Sequence, residues 1–186
     1  MTELETKAAQ KIAEFEARTD TAAALDAAQL LSQIDAAAGP EARQRTRNER
    51  VKLWGRLLSA VDAKIDPKFD PNWVPPLRVT LDPKDFPVPK DPNETYVASI
   101  DTLPDPEMRK RYKEKEAKLA ADTAFANAQR RIYRTGQQVT EQAKDYFTTV
   151  FVRSANSVTT VEACAKAGQW NAARLEQLRS WVRPSE

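Results

Sequence analysis

The sequence predicts a mainly α protein, an antiparallel helical bundle of five to seven helices crossed by a long ordered proline-rich segment. Three observations carry this reading. Apolar residues recur at three- and four-residue spacing towards both ends of the 186-residue chain, the period of one helix face. Ten of the twelve prolines fall between Pro67 and Pro106, which excludes continuous helix there. Only two stretches, "LRVTL" (77–81) and "YVASI" (96–100), alternate like strands, leaving room for one short β pairing.

A first helix is marked by Leu4, Ala8, Ile12 and Phe15, an apolar stripe on an acidic surface. The break at "RTDTA" offers Thr19 or Asp20 as the next N-cap. A second helix runs to about Ala38, with Ala24, Ala27, Leu31 and Ile34 on one face and Leu30 beside them. Gly39-Pro40 stops it, because glycine accepts the left-handed cap and proline cannot continue the hydrogen-bond ladder. A third helix is expected over about 41–64, with Trp54, Leu57, Leu58, Val61 and Ile65 at 3-4-3-4 spacing behind a basic first half.

The proline-rich segment follows. Five of its prolines are preceded by aspartate, at Asp66, Asp70, Asp82, Asp91 and Asp105. Aspartate before proline predicts a turn or helix start, since the carboxylate accepts backbone N–H groups while the ring fixes φ. The segment also holds Phe69, Trp73, Leu77, Phe86, Val88, Tyr96 and Leu103, too much apolar surface for a disordered linker. We therefore expect it to pack along the bundle, with Phe69 and Trp73 inserted between helices three and four. Segment charges point the same way: residues 65–105 sum to −4, between +4 over 37–64 and +5 over 106–134.

Asp105, Pro106 and Glu107 form a helix start. The helix is expected to run to about Arg134 with Ala121, Phe125, Ala128 and Ile132 inward, and to end at Gly136. A fifth helix over about 138–153 carries Val139, Ala143, Phe147 and Val150, although "TTVFV" also has strand propensity. The last stretch reads as two short helices, the first capped by Gly168 and the second presenting Trp170, Leu175, Leu178, Trp181 and Val182. This pair resembles the αα-hairpin of helical repeat proteins, without a repeat period elsewhere. The chain reads as one domain, 1–186, in three parts: N-terminal helices (1–64), the packed segment (65–105), and the long helix with the C-terminal helices (106–186).

The chain contains no histidine and one cysteine, Cys164. Histidine-based triads, metal sites and general bases are thereby excluded, as is an internal disulfide. No phosphate-binding glycine loop, dinucleotide fingerprint or nucleophile elbow occurs, and no metal or cofactor is expected. Net charge is +2, which recommends neither nucleic acid nor an anionic surface, and no run suggests membrane insertion. Compartment is left unassigned. The expected function is a non-catalytic protein-interaction or structural module that binds another protein or its own copy, with Phe69, Trp73 and Trp170 as partner-binding residues. The first alternative is nucleic-acid binding by basic helix faces, through Arg43, Arg47, Arg50, Arg130, Arg131 and Arg134. A carboxylate-based hydrolase is the second.

Overall fold

The computed structural model describes residues 2–34, 47–86, 91, 93, 98–151 and 153–184. Six α-helices occur among them: α1 (Glu3–Arg18), α2 (Thr21–Gln33), α3 (Arg47–Lys64), α4 (Pro106–Asp145), α5 (Ala155–Gly168) and α6 (Ala172–Val182). The fold is a helical bundle with one long helix. Its contacts gather into two compact units, one formed by Met1–Lys68 with Arg130–Glu186 and the other by Phe69–Gln129. The expected end of the second helix at Gly39-Pro40 and the basic start of the third, including Arg43, lie outside the described residues.

In the first unit, α1 and α2 make a tight antiparallel hairpin. Thr2 and Glu5 form a capping box at its start. Thr19 takes the left-handed conformation at the end of α1 (φ 56°), and Asp20 then caps α2 by accepting the N–H of Ala22 at 3.0 Å. The closeness of the pair follows from the small side chains at its seam, Ala8 on α1 and Ala23, Ala24, Ala27 and Ala28 on α2, all buried. α3 is the central helix and touches α1, α2, α5 and α6. Accordingly it is buried nearly all round, at Val51, Leu53, Trp54, Leu57, Leu58, Ala60 and Val61.

The sequence expectation of a break at Gly136 is corrected: α4 passes straight through it. The glycine serves close approach, because a Cβ at 136 would lie 2.6 Å from Cγ1 of Val61 on α3. Beyond Asp145 the helix widens into one π turn, Tyr146–Val150, closed by the N–H of Phe151 bonding to the carbonyl of Tyr146 at 2.9 Å. The wider turn carries Phe151 inward in place of Val150, so that Tyr146, Phe147 and Phe151 are all buried. These rings meet Trp54 of α3 and Trp181 of α6, with centroids 5.1 to 6.4 Å apart. α5 ends at Gln169, not through a glycine cap: Gln169 itself is left-handed (φ 53°). Asn171 caps α6, and Arg174 holds Asp62 of α3 through two nitrogens at 2.9 and 3.0 Å while reaching Thr140 of α4 at 2.9 Å.

The second unit has a core of its own. Phe86, Leu103 and Tyr112 are buried together, with Val79, Leu81, Ile100 and Met108 against them. The Tyr112 hydroxyl donates to Asp85 at 2.6 Å and accepts the N–H of Asp82 at 3.0 Å. That bond to the Asp85 carboxylate raises the phenol's pKa. No strand occurs among the described residues. Residues 77–81 lie between Pro75-Pro76 and Asp82-Pro83, and Val79 and Leu81 join this small core rather than a ladder. Tyr96 and Val97 of the other strand-like stretch are outside the described residues.

Candidate protein-interaction face

The turns of the proline-rich segment are built from its aspartates, of which Asp66 belongs to the first unit and the other four to the second. At all five Asp-Pro pairs the carboxylate Oδ1 accepts the N–H of the residue after the proline: Asp66 from Lys68, Asp70 from Asn72, Asp82 from Lys84, Asp91 from Asn93 and Asp105 from Glu107, at 2.8 to 3.0 Å. These carboxylates are thus bonded to their own turns. Among the described residues of the second unit, the expected matching of aspartates to basic helices comes down to Asp101 with Lys113 at 3.3 Å, both exposed. Such a pair contributes little.

Among the described residues of the segment, some apolar side chains are covered and others stand exposed. Phe86 and Leu103 pack on Tyr112, but Trp73 is not inserted: it is 37% exposed, Val74 79% and Leu77 102%. The reason is local. The Asp70 turn, closed by the Trp73 N–H on the Asp70 carbonyl at 3.2 Å, is followed by Val74-Pro75-Pro76, and the residue before each proline is held extended. The stretch is thereby held extended, and Val74 and Leu77 stand exposed on it. Phe69 is half-buried.

Beneath this stretch lies a groove of about 640 Å³. Pro75, Pro76, Leu77, Arg78 and Val79 form one wall; Glu116, Leu119, Ala120, Thr123, Ala124 and Asn127 of α4 form the other. Small side chains at 120, 123 and 124 leave the helix face shallow there. Phe125, expected inward, is 44% exposed. Ile132 is buried as expected, but Ala121 and Ala128 are exposed while Ala126 and Tyr112 are buried. All four large apolar residues that stand exposed among the described residues, Trp73, Val74, Leu77 and Phe125, belong to the second unit.

Trp170, the third residue read as partner-binding, lies elsewhere, in the first unit. Its ring covers Gly55 of α3 and Gly168 of α5, and it lines a cavity of about 600 Å³ with Lys52, Arg56, Ser59, Lys64 and Cys164. Burial pushes the Cys164 thiol pKa up, partly offset by Lys52, so the thiol is held protonated. Arg56 is committed to Glu16, at 2.8 and 2.5 Å.

The arginines read for nucleic acid do not form one surface. Arg50 is buried, with its Nε 3.9 Å from Oε1 of the equally buried Glu5. Arg47 and Arg130 are half-buried, and Arg131 and Arg134 are exposed on α4. The Glu5–Arg50 pair was missed in the sequence, although Glu5 falls on the stripe of Ala8, Ile12 and Phe15 at helical spacing. Val74 and Leu77 were missed as face residues because their apolarity and extension fit burial equally well, and Arg78 because a lone charge among prolines carries no pattern. No helix among the described residues is long and apolar enough to cross a membrane. No protein family, curated protein or solved structure matches the chain.

Proposed function

We propose that the protein is a non-catalytic interaction module and that it binds a protein partner through the exposed face of its second unit. One observation carries the reading: the large apolar side chains exposed among the described residues all belong to this unit, and Leu77 among them lines its groove. Side chains such as Leu77 and Val74 each favour burial by roughly 1.5 to 3 kcal/mol, and a partner's surface is where that burial is realised. Nucleic-acid binding has weaker support. Arg50 is turned inward on Glu5, and the Asp-Pro carboxylates add negative charge to the unit. A hydrolase based on paired carboxylates is disfavoured because those same aspartates are occupied by turn hydrogen bonds.

The test is site-specific photo-crosslinking. A benzophenone side chain at position 77, on the face, is expected to capture a protein in an extract of the native source, and the same probe at Lys7, exposed on α1, is not. The adduct should disappear when Val74→Glu is added. Such surface changes are expected to leave stability within about 0.5 kcal/mol. Equal labelling from both positions, or none from position 77, overturns the reading. Titration with duplex DNA and RNA at rising salt checks the rival: tight binding that weakens steeply with salt would replace the protein-binding proposal.

A further inference from the structure

We infer that the partner on this face is a second copy of the chain, paired about a two-fold axis. The inference rests on the proposed role of the face as a protein-binding surface and goes on to name the occupant. A two-fold interface requires one patch that complements itself, so each feature must meet its counterpart on the same surface. The groove region has two such matched features. The first is steric: Leu77 stands fully exposed on one rim, and the opposite wall is floored by Ala120, Thr123 and Ala124 beside Leu119. A knob and a shallow hole therefore lie side by side on one unit.

The second feature is electrostatic. Arg78 stands on the segment wall and Glu116 on the helix wall of the same groove. Both are exposed, and neither takes part in an ion pair or hydrogen bond among the described residues. One uncommitted cation and one uncommitted anion, on opposite walls, are what a dyad uses twice. Arg78 of one copy meets Glu116 of the other, and the reciprocal pair forms on the far side of the axis. Leu77 of each copy then enters the helix wall of its partner. A partner of single-sign charge would leave either Arg78 or Glu116 opposed by a like charge, which disfavours wrong pairings.

Sedimentation velocity over loading concentrations of about 1 to about 300 μM spans the range of modest self-affinities. The intact chain is expected to shift from monomer to dimer across it. Arg78→Glu alone places two carboxylates on each groove, and Glu116→Arg alone places two guanidinium groups. Each is expected to weaken dimerisation by about tenfold or more. Mixing these two variants in equal amounts should restore dimerisation as a heteropair, because every contact then joins opposite signs. That recovery is not available to a residue that merely supports folding. Circular dichroism spectra and melting points matching the unaltered chain confirm that the single variants fold.

A chain that stays monomeric throughout the range overturns the inference. So does a dimer whose mixed charge variants associate no better than either alone. If the chain is monomeric and the probe at position 77 captures a different protein, the second-copy inference fails and the interaction-module reading stands. If the chain is monomeric and position 77 captures nothing, both fail.

Discussion

Trp170 rests on two helix backbones at once, and the residues beneath it are glycines. A methyl group at position 55 would overlap the Cζ2 edge of its ring, and one at position 168 would sit 2.5 Å from its Nε1. Within a helix, alanine is favoured over glycine by about 1 kcal/mol, so a glycine here needs a compensating reason, and the indole supplies it. Gly55→Ala is expected to destabilise the protein by about 1 to 3 kcal/mol in urea unfolding, the cost of overpacking. With Trp170→Ala already present, the same substitution should be neutral or stabilising by up to about 1 kcal/mol. A loss of similar size in both backgrounds would mean that the ring is not what position 55 accommodates.

For the element, α4 is the informative case. Its start was legible, since Asp105, Pro106 and Glu107 each suit their place. Asp105 accepts the Glu107 N–H through its side chain and the Arg109 N–H through its carbonyl. Asp105→Ala is expected to cost about 1 kcal/mol and Asp105→Asn much less, as read by chemical denaturation; equal losses would contradict the capping role. Its end was not legible. Glycine at 136 looks like a stop when only neighbours in sequence are considered, whereas its reason is Val61, 75 positions away in the chain. The inward face was misread for a related cause. Alanines surround this helix on every side, so periodicity does not distinguish Ala126, which is buried, from Ala121 and Ala128, which are exposed.

At the scale of the molecule, the two units differ in what holds them. The first has an apolar core drawn from all six helices except for gaps at their exposed faces, centred on α3 and its ring cluster. Among its described residues the second has a small core of Phe86, Leu103 and Tyr112, with the Tyr112 hydrogen bonds beside it. Regions with few buried contacts open at lower free energy. Native-state hydrogen exchange is therefore expected to show α3 amides exchanging only through global unfolding, and amides near 83–86 and 100–103 through easier local opening. Uniform protection would contradict that ordering. The helical class and the stripes of α1, α2 and α3 were readable because burial there follows helical period. The face was half readable: the segment was correctly seen as apolar and turn-rich, but composition does not say which of its side chains are covered. Phe69 and Trp73 were assigned inward on apolarity; Phe69 is half-buried and Trp73 is 37% exposed, while Phe86 and Leu103 are buried against Tyr112.

The turn bonds at Asp66, Asp70, Asp82, Asp91 and Asp105 bear on which sequence changes this chain tolerates. Each ring closes because the carboxyl oxygen sits one methylene from its own backbone. Asparagine keeps that reach and discards the charge; glutamate keeps the charge and overshoots. A lineage drifting at these sites would thus shed acidity freely yet resist a lengthening of the side chain by a single carbon.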